Sequence, residues 1–264
     1  MKQQTISVIT INYNNKNGLE RTIKSVISQT YSQLEYIIID GGSTDGSLDV
    51  IKKYADKISY WISEPDKGIY NAMNKGIVQA HGDYCNFMNS GDTFYDNQVL
   101  EDIFSEHQTS DILTGITQLG TSPVTYWYPP QRVTFSTMFL GTISHQGSFI
   151  KTNLLKKNYY NEEIPIVADW AFFLKVLIIE NCTYYSIKRI ICNYDMTGVS
   201  STTPYNAIRE NVLKSMFPDR VLMDFYDYAY YPTLYQRYNK SSKLGRKIIT
   251  LSSIIVSNIF RKIS

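Results

Sequence analysis

The chain has 264 residues, of which 43% are hydrophobic and 19% charged, the fractions of a globular protein with a substantial core in one large domain, or in one domain with an appendage. Its formal net charge of +2 hides an asymmetry. From Tyr228 onward there are seven basic residues and no acid, which leaves 19 basic against 24 acidic residues over 1–227. An acidic body with a basic tail points to an anionic partner for the tail, either membrane lipid or nucleic acid. The three cysteines are odd in number and lack metal-ligand spacing, so they read as reduced packing residues of a cytosolic protein. The opening apolar run, Ile6 to Ile11, is short and interrupted by Ser7 and Thr10, which argues against a secretory leader. The 22 tyrosines suit interfaces, sugar surfaces and membrane edges, although packing accounts for most of them.

In chain order, Ile6 to Ile11 reads as a buried strand, and Asn12-Tyr13-Asn14-Asn15 as a polar turn. Leu19, Ile23, Val26 and Ile27 recur at helical spacing. Glu35 to Asp40 is a second strand whose consecutive isoleucines imply burial on both faces, as in a parallel sheet. A turn at Gly41 to Ser47 leads to a helix through Leu48 and Ile51, and Ile58 to Ile62 is a third strand. A helix from Ile69 to Gln79 and a strand from Tyr84 to Met88 complete a βαβαβαβ alternation, which predicts a parallel sheet with right-handed crossovers. Further on, the pattern predicts helices at Val99–Phe104, Thr152–Lys157 and Val167–Ile179. Strands are expected at Ile112–Ile116, Thr125–Tyr128 and Ser148–Ile150, with two more at Cys182–Ile187 and Arg189–Tyr194. Between Arg132 and Ser148 periodicity is weak, as in a loop-rich region near a site.

From Pro204 onward helical segments predominate. Leu244 to Ser264 is apolar with basic flanks but broken by Thr250, Ser252, Ser253 and Ser257, so it falls short of the ~20 apolar residues that cross a bilayer. A packing or dimerisation helix fits this segment; an amphipathic helix lying in the membrane interface fits it better, given the basic flanks.

Four acids follow or punctuate the strands: Asp40, Asp66, Asp83 and Asp92. Three of them close a strand or its adjoining loop, and the carboxyl ends of parallel strands open onto the crevice where α/β proteins hold ligands. A hard divalent cation takes oxygen ligands and usually only one or two protein carboxylates, substrate phosphates filling other positions. Asp92 is the first choice of ligand, and Asp40 is a candidate acceptor for a nucleobase N–H.

These segments resemble the family 2 glycosyltransferases. The likeness is carried by the opening strand with Asn12-Tyr13-Asn14, by Ile37 to Gly46, by Asp66-Lys67-Gly68-Ile69-Tyr70-Asn71-Ala72-Met73-Asn74-Lys75-Gly76, and by Gly82-Asp83-Tyr84 running to Asn89-Ser90-Gly91-Asp92. The resemblance covers about residues 4–200. It implies an α/β GT-A fold, an open, mostly parallel, Rossmann-like sheet flanked by helices, over residues 1–203, with a nucleotide-binding half at 1–92 and an acceptor half at 93–203. Residues 204–264 would form a helical basic extension. It also implies a nucleotide-diphosphate sugar as donor, UDP-linked in most of the family, a Mn²⁺ or Mg²⁺ cofactor, and inversion at the anomeric carbon.

Carried over by position, the resemblance assigns the donor to Thr10, Asn12, Tyr13, Asn14, Asp40, Gly41, Ser43, Asp66, Lys67, Gly68, Asn71, Asn74, Asn89, Ser90 and Gly91. The family's D-x-D metal motif falls on Ser90-Gly91-Asp92, where Ser90 replaces the first acid, so metal binding rests on Asp92. The acidic base that takes the acceptor's proton falls on Asp169 in Ala168-Asp169-Trp170, with Ala replacing the usual Glu. Apolar surroundings there would raise its pKa. His145 and Gln146 lie in the segment that precedes the acceptor site, Trp170 is either a sugar-stacking wall or a packing residue, and Gly198-Val199-Ser200-Ser201 resembles a loop that closes over the donor.

Other classes fit less well. A sugar-nucleotide pyrophosphorylase needs a glycine-rich basic loop after the first strand, and Asn12 to Gly18 is not one. A dinucleotide oxidoreductase needs G-x-G-x-x-G, and the glycines of Gly41 to Gly46 are wrongly spaced. A non-catalytic nucleotide- or glycan-binding module is the alternative that Ser90 and Ala168 leave open. The reading is a membrane-associated inverting transferase on the inner face of the cell membrane. It would move a hexose or N-acetylhexosamine from UDP to a glycan, lipid-linked in bacterial relatives that build O-antigen, lipopolysaccharide or capsule, with no role for nucleic acid. The tail generates its own test: the full chain should float with anionic liposomes and a truncation before Ser241 should not, whereas equal flotation would remove the membrane contact.

Overall fold

The computed structural model describes residues 3–120, 123–197 and 205–226. The chain separates into two compact units, residues 1–209 and 210–264. The tail segment from Leu244 and the Gly198 to Ser201 loop lie outside the described residues.

The first unit is an α/β sandwich whose opening alternation follows the sequence pattern. Strand β1 (Ile6–Asn12) is buried along its whole length. Helix α1 (Lys16–Ile27) starts at Asn15, whose side chain accepts from the Gly18 N–H, and it buries Leu19, Ile23 and Val26. Next come β2 (Leu34–Asp40), α2 (Ser47–Lys53), a 3₁₀ turn at Ala55–Lys57, β3 (Tyr60–Ser63), α3 (Ile69–Gln79) and β4 (Tyr84–Phe87). β1 pairs in parallel with β2 and β4, and β2 with β3. The predicted third strand begins two residues later than expected, because Ala55–Lys57 continues the preceding helix as a 3₁₀ turn. Packing of α3 on the sheet is close: a Cβ at Gly76 would lie 2.5 Å from Ile9 Cγ2.

The second half adds β5 (Thr93–Phe94), α4 (Val99–Phe104), β6 (Ile112–Leu119), β7 (Thr125–Trp127), α5 (Phe135–Leu140), β8 (Ser148–Lys151), α6 (Thr152–Lys157), α7 (Ala168–Leu174), β9 (Tyr184–Tyr194) and α8 (Asn206–Met216). The sheet order is β3-β2-β1-β4-β8-β6-β9-β5, with β7 on β6. β8 runs antiparallel between β4 and β6, whereas β6 and β9 are parallel. The expected Val167–Ile179 helix becomes α7 followed by a π-helical turn at Lys175–Ile179.

Two expectations are corrected. The two closing strands are one, β9. The break expected at Lys188 is a bulge, because Thr114 faces Ser186 while Ile116 already faces Ile190. Arg189 is fixed there by Asp96 and Asp102, at 2.7 and 2.9 Å. The loop-rich stretch from Arg132 to Ser148 contains α5, opened at its N-terminus by a capping box between Thr134 and Thr137. β5 is too short to show in the sequence and exists through its pairing with β9.

The carboxyl ends of β1, β2 and β3 lie in register, Asn12 beside Asp40 and Asp40 beside Ser63. Asp83 is at the other edge, where its carboxylate accepts from the Thr5 N–H at 2.8 Å. The close approach of α3 predicts that Gly76→Val costs about 2–3 kcal/mol in urea unfolding, because the added methyl groups overpack Ile9 by more than the loss of glycine's backbone freedom returns in a helix. An unchanged midpoint would mean that α3 stands farther from the sheet.

Candidate active site

A cleft of about 730 Å³ opens at the carboxyl ends of the strands. Its first wall comes from the loop after β1 and from the stretch between β3 and α3. Asn12 and Tyr13 line it together with Asp66 and Gly68. Asp66 Oδ1 accepts from the Gly68 N–H at 2.8 Å, and a Cβ on Gly41 would meet Asp66 Oδ2 at 2.5 Å, so the two turns touch only because position 41 has no side chain.

Asp40 is fully buried behind this wall and makes four hydrogen bonds. Oδ1 accepts from Asn12 Nδ2 (2.7 Å) and Ser43 Oγ (2.6 Å), while Oδ2 accepts from Ser63 Oγ (2.6 Å) and the Ser43 N–H (3.0 Å). Burial alone would raise its pKa; the donors of Ser43, Ser63 and Asn12 outweigh that and hold it below the usual carboxylate range. The amide of Asn12 donates to Asp40 and Ser43, and its buried Oδ1 has no partner.

The second wall holds Asn89, Ser90 and Asp92. Asp92 is 3% exposed, and burial pushes its pKa up to about 7 against the lowering influence of the Asp195 N–H and of His145. That N–H reaches Asp92 Oδ1 at 2.8 Å. Asp195 also lines the cleft and lies beside Gly91, whose φ of 109° and missing Cβ make room for its carboxylate.

The third group comes from the far half of the unit. His145 Nδ1 is 2.8 Å from Asp169 Oδ2, and Tyr70 Oη is 2.9 Å from Asp169 Oδ1 and 2.6 Å from the Ile166 carbonyl. Because an ionised carboxylate only accepts, the proton of the first contact sits on Nδ1. His145 Nε2 is 3.3 Å from Asn89 Nδ2, which links this group to the second wall. The apolar surroundings of Asp169 do press its pKa upward, but the expected net rise is reversed. His145, Tyr70 and the Trp170 N–H together lower it, so the group is ionised at neutral pH. Ile166 has φ 68°, an arrangement that costs a β-branched residue about 1–3 kcal/mol.

Several expected donor residues stand outside the lining. Thr10 is buried and bonds to Tyr36 and to the Met88 carbonyl. Asn14 and Ser43 tie the loop after β1 to that after β2 through the Thr44 and Asn14 N–H groups. Asn71 and Asn74 reach Glu162, and Asn74 also reaches the Tyr160 carbonyl, so they join α3 to the segment before α7. Lys67 is exposed. Gln146 and Trp170 do line the cleft. Trp170 is 2% exposed, its Nε1 donates to the Met138 carbonyl, and the Arg209 guanidinium lies 4.3 Å from its ring centre, which makes it a packed wall. Tyr70, Asp195 and Arg209 line the cleft without having been singled out from the sequence. The rule that found Asp92, an acid just beyond a strand, applies equally to Asp195 after β9; Arg209 carries no such signal.

Among the described residues no group of three or more His, Cys, Asp or Glu side chains stands ready to hold a metal. The lining suits a hard cation that shares its coordination with phosphate: it includes the Asp92 carboxylate, and its Asn12 and Asn89 each have a buried Oδ1 without a partner.

Known proteins agree with this architecture. The family model described as glycosyl transferase family 2 matches residues 7–180. An uncharacterized glycosyltransferase of Mycobacterium tuberculosis is 30% identical over 98% of each chain. A PGL/p-HBAD biosynthesis glycosyltransferase of Mycobacterium bovis is 25% identical over 84% of this chain and 86% of its own. Among solved structures, S. aureus TarS 1-349 in complex with UDP-GlcNAc superposes with a TM-score of 0.64 at 21% identity, over 79% of this chain and 65% of that one. A mannosyltransferase from Pyrobaculum calidifontis in complex with GDP-Man and Mn²⁺ gives 0.62 at 15% identity, over 96% of this chain and 81% of that one. The chain belongs to glycosyl transferase family 2, has the GT-A fold, and is a glycosyltransferase.

The burial of Asp92 sets a pH test on the metal-free chain. Its folded pKa lies above the unfolded value near 4, so the folded state loses stability as pH rises from about 4 to 7. Asp92→Asn keeps an acceptor for the Asp195 N–H and removes that loss. The variant should gain on the parent by about 2–4 kcal/mol between pH 4 and pH 8 in thermal unfolding; a difference that stays flat with pH would show that Asp92 is not desolvated.

Proposed function

We propose that the chain transfers a sugar from a UDP-sugar to a hydroxyl of a glycan acceptor, with inversion, and that Asp169 is the base. The observation that carries this reading is an ionised carboxylate, held by His145 and Tyr70 in the same cleft as Asp92. A hexose or N-acetylhexosamine is the expected sugar, in line with TarS, whose complex contains UDP-GlcNAc. The acceptor is proposed to be a lipid-linked intermediate of a bacterial surface glycan of the O-antigen, lipopolysaccharide or capsule kind, with the basic tail resting on the inner face of the membrane. The Mycobacterium bovis relative, named for PGL/p-HBAD biosynthesis, supports a glycolipid direction. Among the described residues no helix is long and apolar enough to cross a membrane.

In this reading residues 1–92 hold the donor and 93–203 the acceptor. Tyr13 and Asp66 flank the nucleoside, Asp40 and Ser43 brace the Asn12 amide from behind, and the exposed Lys67 adds positive charge near the diphosphate. Asn89, Ser90 and Gly91 carry the backbone beneath the diphosphate. A Mn²⁺ or Mg²⁺ ion would be held by Asp92 and would neutralise charge on the departing diphosphate. Asp169 takes the proton from the acceptor hydroxyl as its oxygen attacks the anomeric carbon, and the bond to the diphosphate oxygen breaks with its electron pair leaving on UDP. His145, Tyr70 and the Trp170 N–H take three of the about four lone-pair positions of the Asp169 carboxylate, which leaves one for the acceptor hydroxyl without breaking any of these bonds.

Two measurements test the reading. Screening nucleotide sugars with Mn²⁺ should give concentration-dependent thermal stabilisation by a UDP-sugar, about 2.7 kcal/mol at a hundred times Kd; stabilisation by other nucleotides alone would move the donor class. Asp169→Asn should lower UDP release at least about 10³-fold with donor Kd unchanged, since a lost general base costs 10²–10⁴-fold. Retained turnover would take Asp169 out of the reaction.

A further inference from the structure

Tyr70 stands on α3, two residues beyond Gly68 and the donor-side turn, yet its hydroxyl serves the other half of the site. Oη is 2.9 Å from Asp169 Oδ1 and 2.6 Å from the carbonyl of Ile166. A phenol has one proton, so at any moment only one of these acceptors receives it fully. The second acceptor is an unusual one. Ile166 has φ 68° and the Val167 N–H closes back onto the Pro165 carbonyl at 2.8 Å, forming a tight γ-turn of the strained sign on a β-branched residue. This turn leads directly into α7 and so fixes where Asp169 stands.

We propose that Tyr70 is the positioning residue of the base, a two-position hydroxyl that clamps both the carboxylate and the strained turn behind it. The inference rests on Asp169 being the base. While Asp169 is ionised the phenol proton points to Oδ1. As the acceptor O–H bond breaks and its proton passes to Asp169, the carboxyl accepts more weakly, and the phenol proton turns onto the Ile166 carbonyl. The phenol is never left without an acceptor, and the turn is held most firmly when the carboxylate has let go. No proton leaves Tyr70 in the cycle, in keeping with its burial beside a carboxylate, which pushes its ionisation far above the usual tyrosine range. Because α3 also carries the donor-side turn at its start, a donor that shifts that turn would move the clamp with it.

The other titratable groups facing Asp169 are His145 from the loop before β8, Tyr160 from the segment before α7, and Arg209 from α8. All three remain in the test variant. Tyr70→Phe removes the hydroxyl alone and keeps the ring against Tyr160, 5.6 Å between centroids. Two readouts are taken on the full chain. The first is the ¹³C resonance of the Asp169 carboxyl followed against pH, assigned by its disappearance in Asp169→Asn. The second is UDP release from UDP-GlcNAc with Mn²⁺, water standing in for the acceptor hydroxyl.

The expected result is that Tyr70→Phe raises the Asp169 titration by about one pH unit, moves the acid limb of kcat by the same amount, and lowers kcat about 10- to 100-fold with donor KM within about twofold. An unshifted carboxyl titration overturns the inference. So does a loss of activity that is uniform in pH and accompanied by a lower Tm, which is what a purely structural tyrosine would give. If Asp169→Asn itself keeps its turnover, the base assignment falls; if Asp169→Asn is inactive while Tyr70→Phe is normal in both readouts, only the clamp falls.

Discussion

The site depends on one chain of hydrogen bonds, running from Asn89 through His145 and Asp169 to Tyr70 and the Ile166 carbonyl. Its members come from the end of β4, the loop before β8, the start of α7 and the first turn of α3, so four separate elements must dock before the carboxylate is held. None of them could fix Asp169 alone: α7 offers it a helix start, which orients the backbone but leaves the side chain free to rotate. Bonds to the two oxygens from opposite sides remove that freedom. Such bonds to a charged acceptor contribute about 1.5–3 kcal/mol each, enough to offset a strained Ile166.

The same cleft contains a second carboxylate under the opposite influence. Asp92 is buried, accepts from the Asp195 N–H and is driven toward the neutral form, whereas Asp169 is ionised by His145 and Tyr70. Two acids whose environments push them apart take different roles. Asp169, already ionised by its neighbours, suits the proton abstraction proposed for it. In the proposed reaction Asp92 would gain its charge when a cation arrives with the diphosphate, since its neighbour in the motif is Ser90 and not a second acid. Behind both, Asp40 works as an internal brace: with four donors already satisfied, it ties the ends of β1, β2 and β3 into one rigid edge.

The first half of the fold was legible because strand and helix patterns alternate there, and because isoleucine-rich β1 and most of β2 are buried on both faces. The second half was legible in its elements but not in their joins. A two-residue strand such as β5 has no periodicity to read, and a bulge at Lys188-Arg189 looks like a strand end until Asp96 and Asp102 are seen to hold the arginine. At the site, acids closing strands were visible one by one. The direction of the Asp169 shift was not, since it depends on His145, 24 residues away, and Tyr70, 99 residues away. Tyr70 itself stood only as one residue of the segment Asp66 to Gly76, because nothing local to α3 reveals what its hydroxyl reaches.

The central claim is a single displacement at the anomeric carbon with Asp169 opposite the departing diphosphate. It is tested most directly by proton NMR during Mn²⁺-dependent hydrolysis of the α-linked UDP-sugar that the chain turns over, recorded before the free sugar mutarotates. The account predicts that the β-anomer appears first. Initial release of the α-anomer would contradict it, because one displacement from the face opposite the diphosphate must invert the anomeric carbon.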